Sequence, residues 1–575
     1  MCGFVGGTEP NWDYEAAAAT LRHRGPDAGA VRRADGVSIG FRRLKIVDLD
    51  DAANQPLTST EAPVTIAFNG EIYGFRALRA VLEGHGHRFL TRSDTEVLLA
   101  AYLEWGDAFA DHVDGMFAIA IHDRRDATLH LLRDRVGIKP LYYLDDGTRF
   151  AFASELKAIE RLVGQPTLVR DPTALYDFLT YHYIPAPKTE YRGVFKLRPA
   201  HHLVYDLARR CVRHDRAFWR LAVPQTPEPI DDASAAAELR ECIQTAVEEQ
   251  LVADVPVGFF LSGGLDSSAV LCAAHSAIDH PPTFCMGFDG DRESETAHAR
   301  TVADHLGADH HERILTASAT RGLLAAYLDW FDEPFGDVSA FPTNWLAPFA
   351  REQGAVVVLT GDGGDELFGG YRRYEKFVRY SNLPSLGRRG EAAFGWMRDA
   401  LAPPAWRPSL AKLDTMLKSD LALYASLRSQ LPLTRRLHYR REFELPADYD
   451  DLWYYRQHWR PELPILTRLQ HLDFHTFLPD LVLTKVDRTT MAESLEARVP
   501  LLARKVVELA FRLPEATRYR GGQLKGLLKH AYRDALPAEI LARPKHGFNP
   551  PRAYIDALRS SDARQEFLLR TFLAA

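Results

Sequence analysis

Three stretches of this chain hold residues whose types and spacing can do chemistry. Cys2, if Met1 is removed, carries both a thiol and a free α-amine. Their ordinary pKa values, about 8.5 and about 7.7 to 8.0, let the amine take the thiol proton near neutral pH, so one residue supplies nucleophile and base. The second stretch is Phe259-Phe260-Leu261-Ser262-Gly263-Gly264-Leu265-Asp266-Ser267-Ser268, an apolar run that ends in a hydroxyl- and glycine-rich turn and opens a helix. Such a turn lets the backbone approach an anion, at a helix N-terminus where unpaired N–H groups and the dipole favour negative charge. Asp266 does not fit an anion site by itself. A carboxylate beside a phosphate costs about 4 kcal/mol at roughly 4 Å and an effective dielectric of about 20. A divalent cation between them removes that cost, and Asp266 therefore reads as a magnesium ligand that holds a nucleotide. The third stretch, Thr360-Gly361-Asp362-Gly363-Gly364-Asp365, is a Gly-rich acidic loop placed to complete a metal–nucleotide site. A capped strand-to-helix turn and a solvated acidic turn would use the same residues for less.

These residues need elements to position them. Phe259 to Leu261, Thr283 to Phe288 and Ala355 to Leu359 read as short buried strands, with helices between them and one leading in from Ala235 through Leu239, Ile243 and Val247. That alternation predicts a doubly wound parallel sheet with its ligands at the carboxyl ends of the strands. The first half reads differently. Val113 to Asp123 and Thr128 to Asp134 form a predicted hairpin, followed by a strand at Phe150 to Ser154. Asn69-Gly70, between Val64–Phe68 and Glu71–Tyr73, predicts a second hairpin turn. The Asn69 amide and the Gly70 N–H could also donate to an oxyanion. Arg43 could clamp a carboxylate, and Glu71 and Asp94 could hold an ammonium group. Pro224, Pro227 and Pro229 mark a linker over 222–234, between domains at 1–221 and 235–575.

Composition narrows the function classes. With 575 residues, 46% hydrophobic and 26% charged, the chain suits two folded domains. A net charge of -7 argues against nucleic acid or an anionic membrane recognised through bulk charge, and favours small ligands. Five cysteines without a CxxC suggest neither a disulfide framework nor a zinc site, which fits a reducing cytoplasm. No apolar run reaches spanning length, and the N-terminus lacks a basic segment, so neither a membrane span nor a secretory signal is expected. Neither G-x-x-x-x-G-K-[ST] nor G-x-G-x-x-G after a strand occurs, which argues against a Walker-type ATPase and a Rossmann dinucleotide site.

Motif order adds a resemblance. Met1-Cys2-Gly3, Arg24-Gly25-Pro26-Asp27, Arg43-Leu44, Asn69-Gly70-Glu71-Ile72-Tyr73, Ser93-Asp94 and Arg133 to Tyr143 occur in the order of class II glutamine amidotransferase domains. Ser262 to Ser268 resembles the pyrophosphate loop of N-type ATP pyrophosphatases. Asp332 to Asp337, Gly361 to Tyr371, Lys485-Val486-Asp487-Arg488, Ser494 to Pro500 and Arg543-Pro544-Lys545-His546-Gly547-Phe548 continue in asparagine-synthetase order. The resemblance is weakest over about 379–451, and Gly74 departs from the Asn common after the Tyr of the Asn69 motif.

The resemblance to glutamine-hydrolysing asparagine synthetases implies an N-terminal-nucleophile α/β/β/α sandwich followed by an ATP pyrophosphatase domain with additional helices. It implies that Cys2 attacks glutamine, that Asn69 and Gly70 form the oxyanion hole, and that Arg43, Glu71 and Asp94, with Asn69, hold glutamine. Ser262, Gly264, Ser267 and Ser268 would hold pyrophosphate, with Asp266 and Asp365 on Mg2+. Adenine would lie against Leu261, Met286 and Gly361, beside Thr360. Asp362 stands where an acidic residue takes part in adenylate chemistry. Lys525, beside a stripe of Leu524, Leu528 and Ala531, could neutralise charge growing on departing pyrophosphate, although Lys525 and Lys529 also suit a solvated helix face. The substrates implied are glutamine, ATP and aspartate, or another carboxylic acid as in natural-product relatives. A homodimer is compatible. Ammonia is expected to cross between the sites by an apolar interdomain passage.

Overall fold

The first 217 residues alternate apolar and polar positions over short strands, and in the computed structural model they build two six-stranded antiparallel sheets. The structure describes residues 2–227, 229–290, 294–316, 323–381, 420–428 and 433–545, with a few isolated positions beyond. Met1, His546, Phe548 and much of 379–451 therefore lie outside the described residues. In chain order the strands are β1 (Cys2–Gly7), β2 (Ala28–Ala34), β3 (Val37–Arg43), β4 (Leu57–Thr58), β5 (Val64–Tyr73), β6 (Asp114–Asp123), β7 (Thr128–Arg133), β8 (Tyr142–Asp145), β9 (Phe150–Ala153), β10 (Val194–Lys196), β11 (His201–Asp206) and β12 (Cys211–Ala217). One sheet runs β10-β8-β9-β1-β3-β2 and the other β12-β11-β7-β6-β5-β4.

Strand periodicity decides which residues meet. Cys2 and Phe4 of β1 join Ala67 of β5 and Ala118 and Ala120 of β6 in the layer between the sheets. Val5, one position over, packs outward against the helices Tyr14–Ala19 and Leu156–Val163. Helices Phe75–Gly84 and Asp94–Trp105 cover the opposite face of the second sheet. The layers are thus α/β/β/α, as expected, and they place the Cys2 side chain between the sheets.

The Asn69-Gly70 turn is not there. Both residues lie inside β5, with Asn69 opposite Ala118 and Gly70 opposite Phe117 on β6. A ten-residue strand buried along most of its length outweighs the local turn preference. The glycine serves close approach, since a Cβ at Gly70 would sit 2.0 Å from the Met116 carbonyl oxygen. Gly74 caps the helix Phe75–Gly84 at φ +65°, a left-handed conformation that Gly and Asn share, which accommodates the departure from the motif.

From Asp232 the chain changes class. The helix Asp232–Gln250 begins three residues before the expected Ala235, because Asp231 caps it by accepting the N–H groups of Ala233 and Ser234. It leads to five parallel strands, β13 (Val257–Phe260), β14 (Pro282–Phe288), β15 (Asp309–Leu315), β16 (Val357–Leu359) and β17 (Glu496–Arg498), in the order β15-β14-β13-β16-β17. The helix Leu265–Ala274 packs on one face of this sheet and Ala340–Glu352 on the other. Strand order reverses between β13 and β16, the crevice where open parallel sheets take their ligands. The loops that leave those two strands carry Ser262–Ser267 and Thr360–Asp365. They touch so closely that a Cβ at Gly361 would lie 2.6 Å from the Ser267 backbone nitrogen. No helix among the described residues is long and apolar enough to cross a membrane.

Candidate active sites

In the first domain, Cys2 is buried at the start of β1. Burial pushes its thiol pKa up, with Sγ 4.0 Å from the Leu44 carbonyl oxygen. A thiol in that state needs a base, which is the role the α-amine would fill. The Cys2 backbone nitrogen donates to Asn69 Oδ1 at 3.0 Å and so fixes the orientation of that amide. Asn69 Nδ2 is buried without a hydrogen-bond partner among the described residues. A buried unpaired donor costs about 1 to 3 kcal/mol, and a developing oxyanion is the kind of partner that repays it. The Phe68 N–H, two residues earlier on the same strand edge, donates to Gln55 Oε1 at 2.7 Å. By strand alternation the Gly70 N–H faces that edge too, away from β6.

Glu71 and Asp94 are both buried. Burial, then the neighbouring Asp94 charge, raises the Glu71 pKa, and burial brings Asp94 up to about 6. Asp94 Oδ2 accepts the Ile72 N–H at 3.1 Å from the first turn of a helix that Ser93 caps. Arg43 is also at the site, but its guanidinium is occupied. It donates to the Asp50 carbonyl and to Asn54 Oδ1, each at 2.8 Å, and to the carbonyls of Val47 and Asp48. It braces the 47–54 loop here and is not a free carboxylate clamp.

In the second domain, a cavity of about 660 Å³ opens at the crevice between β13 and β16. It is lined by Leu261, Ser262, Gly264, Asp266, Ser267, Met286, Thr360, Gly361, Asp362, Asp365 and Lys525. Hydroxyls shape the loop: Ser262 Oγ lies 3.1 Å from Ser267 Oγ and accepts the Gly264 N–H at 3.2 Å. Ser268 is the exception among the expected residues. It is fully buried and does not line the cavity, because the first helical turn rotates it toward the core and its N–H is spent on the Gly264 carbonyl at 3.0 Å.

The Lys525 ammonium pairs with both Asp266 and Asp365. Two carboxylates that close on one cation also suit a divalent ion, so the donor set fits Mg2+. Burial raises the Asp266 pKa, whereas for Asp365 the ammonium groups of Lys525 and Lys545 outweigh burial and hold it well below the usual range. Lys525 is not beside a stripe on a helix. It precedes the helix Gly526–Ala531 at φ +56°, anchored by its N–H to the Phe368 carbonyl at 3.0 Å, a strained conformation that aims the side chain into the cavity. Asp362 accepts the Thr360 hydroxyl at 2.8 Å.

Several cavity residues carried no role in the sequence. Lys545 pairs with Asp365, Lys485 Nζ lies 3.7 Å from Asp362 Oδ1, and Arg543 donates to the Ser262 carbonyl at 3.0 Å. Glu366, buried beside Asp365 and raised to about 7 by burial first, accepts the Tyr371 hydroxyl. Their only sequence signal was membership of motifs matched by order.

The domain interface holds a further group. Arg24 donates to Glu155 and, through both terminal nitrogens, to Asp487 at 2.8 to 3.0 Å. Arg488 pairs with Asp332 at 2.6 Å. Arg498, fully buried, donates to Glu496 Oε1 at 2.6 Å, the Gln250 and Val252 carbonyls at 2.6 and 2.8 Å, and Glu71 Oε2 of the first domain at 3.1 Å. Its own carbonyl accepts the Thr360 N–H at 2.9 Å. One residue therefore touches both candidate sites.

A buried nucleophile beside an unpaired amide donor, joined to a nucleotide-sized acidic cavity at a sheet switch point, defines a two-site amidotransferase class. The comparisons with known proteins agree. A glutamine amidotransferase domain model matches residues 1–219 and an asparagine synthase model matches 238–568. A Bacillus subtilis protein named asparagine synthetase (glutamine-hydrolyzing) 1 is 31% identical over 96% of this chain and 87% of its own length. A Mycobacterium bovis protein named as a putative asparagine synthetase is 34% identical over 93% of this chain and 83% of its own. A Gibberella zeae protein named as an amidase is 26% identical over 94% and 85%. The chain belongs to the asparagine synthase family.

Arg498 is the guanidinium paired with two buried carboxylates, Glu71 and Glu496. Arg498→Met should lower unfolding stability by about 3 to 5 kcal/mol. Denaturant unfolding measures it, and a loss below about 1 kcal/mol contradicts the pairing described.

Proposed function

We propose that this protein is a glutamine-dependent asparagine synthetase. The observation that carries the glutamine-hydrolysing half of the reading is the buried Asn69 Nδ2 donor, which has no hydrogen-bond partner among the described residues while the Cys2 N–H holds Asn69 Oδ1. In the mature chain the α-amine takes the thiol proton and Sγ attacks the glutamine amide carbon. Asn69 Nδ2 and the Gly70 N–H stabilise the oxyanion. Collapse expels ammonia and leaves a glutamyl thioester, which water cleaves to glutamate. Glu71 and Asp94 hold the glutamine ammonium, and the loop that Arg43 braces borders its carboxylate.

In the second cavity the substrate carboxylate attacks the α-phosphorus of ATP, and pyrophosphate leaves. Ser262, Gly264 and Ser267 bind the departing group, and Lys525 meets the charge that grows on it. Mg2+ held by Asp266 and Asp365 would offset triphosphate charge. Asp362, fixed by Thr360 and Lys485, borders the adenylate. Ammonia then attacks the acyl carbon and AMP leaves. With aspartate as acceptor, the product is asparagine.

The acceptor rests on the names of the relatives, and the amidase among them supports a second reading in which another carboxylic acid is amidated. Pyrophosphate release with aspartate against a panel of carboxylic acids separates the two. Release with aspartate supports the first, and silence with aspartate alongside release with another acid supports the second. In either case Cys2→Ala should abolish glutamine-dependent amidation and spare ammonia-dependent amidation, and loss of both contradicts the two-site assignment.

The raised Asp94 pKa gives a pH signature. Below about pH 6 the free enzyme protonates Asp94, removing its attraction for the substrate ammonium. The glutamine KM should rise as pH falls through about 6. Asp94→Asn should show a KM raised about tenfold or more and flat across that window, from loss of a charge-assisted bond. A wild-type KM that is also flat there would exclude the role.

A further inference from the structure

Away from both sites, three histidines and an aspartate converge on the outer face of the β7-β11-β12 sheet edge. Register places them there. His130 on β7 and His214 on β12 both lie opposite Val204 of β11, and His202 is two residues before Val204, so all three imidazoles project from one face. Asp107, in the 3-10 segment Gly106–Asp111 that follows the helix Asp94–Trp105, reaches down onto them.

The geometry points to a transition-metal site with an N3O donor set, suited to Zn2+, made by His130 Nδ1, His202 Nε2, His214 Nε2 and the Asp107 carboxylate. His130 Nδ1 is 3.0 Å from His202 Nε2 and 3.5 Å from Asp107 Oδ1, and His214 Nε2 is 3.7 Å from Asp107 Oδ2. The donor atoms of Asp107, His130 and His202 all lie within 4.8 Å of one another, and His214 joins that group through its contact with Asp107. Zn–N and Zn–O bonds of about 2.0 to 2.1 Å in a tetrahedron give donor–donor edges of about 3.3 to 3.4 Å. The His130–His202 and His130–Asp107 separations therefore need shifts of only tenths of an ångström, while His214, held beside Asp107, must swing inward to close the fourth position.

The surroundings supply the support a ligating histidine needs. His130 Nε2, the nitrogen turned away from the cluster, lies 3.1 Å from Tyr102 Oη and 2.9 Å from Thr128 Oγ1, and Tyr102 donates onward to Asp123 at 2.9 Å. That chain can accept an Nε2 proton and leave Nδ1 free to ligate. The His130–His202 bond holds one proton between the two donor nitrogens, and metal binding moves it to an outer nitrogen by tautomer exchange. Arg216 also pairs with Asp107 Oδ2, at 3.0 Å, and a bound metal would take up part of that charge. His130 and His202 are buried while Asp107 is 40% exposed, which gives an ion a route from solvent. Hard cations such as Mg2+ prefer all-oxygen sets, so this site is chemically distinct from the Asp266–Asp365 pair. Since Asp107 follows the helix that begins at Asp94, the metal would pin the far end of that helix to the sheet.

The test uses the full-length chain carrying Cys2→Ala, which removes a thiol that could bind zinc on its own. Chelator-treated protein is titrated with Zn2+ by calorimetry, and Co2+ substitution is read in the visible spectrum. The expected result is one Zn2+ per chain, a Co2+ absorption band of four-coordinate intensity, and a higher melting temperature with Zn2+. Asp107→Ala/His214→Ala, at partly exposed positions that should leave the fold intact, abolishes all three. Tyr102→Phe weakens binding about 10- to 100-fold. The proposal is overturned by no stoichiometric Zn2+ binding, or by unchanged Zn2+ binding in the folded double variant.

Discussion

Arg498 is the interaction on which the arrangement of the two sites depends. Its guanidinium is fully buried and bonds a glutamate of each domain, Glu71 and Glu496, together with two carbonyls at the end of the helix Asp232–Gln250. Its backbone carbonyl holds Thr360, where the acidic loop leaves β16. A buried guanidinium is tolerated only when its donors are met, and here they are met from both sides of the interface. Displacing either domain would strand a charge. The Cys2 pocket and the crevice between β13 and β16 are thereby held in one register.

The same logic extends along the interface. Arg24 with Asp487, and Arg488 with Glu155, join helix and loop segments of the two domains through buried pairs. An apolar interdomain passage was the expectation from the need to keep ammonia unprotonated. The contacts around Arg24 and Arg498 are ionic, with each guanidinium answered by fixed partners. Such pairs fix geometry more than they add net stability, and here they set the placing of the two candidate sites.

Much of this was legible in the sequence because it rests on local signals. The strand and turn at Phe259 to Asp266, the β-branched run at Ala355 to Leu359 and the apolar alternation of the first half each define an element by period alone. The failures share a different cause. Asn69-Gly70 has a local dipeptide preference for a turn, whereas its place in β5 is set by pairing with β6. Ser268 was grouped with the loop hydroxyls, although one turn of helix carries it inward. Lys525 owes its aim to a positive φ that no propensity reports. The His130, His202, His214 and Asp107 group was invisible for the same reason. Cysteine spacing argued against zinc, while these four residues, more than 100 positions apart at their extremes, meet only through sheet register.

The central claim is that glutamine hydrolysis and carboxylate activation form one coupled reaction across the Arg498 interface. Glutamine labelled with 15N at its amide, turned over in the presence of ATP, the acceptor acid and excess unlabelled ammonium, tests it most directly. The account predicts product that keeps most of the label despite the excess ammonium. Product whose label is diluted in proportion to the free ammonium pool would contradict it.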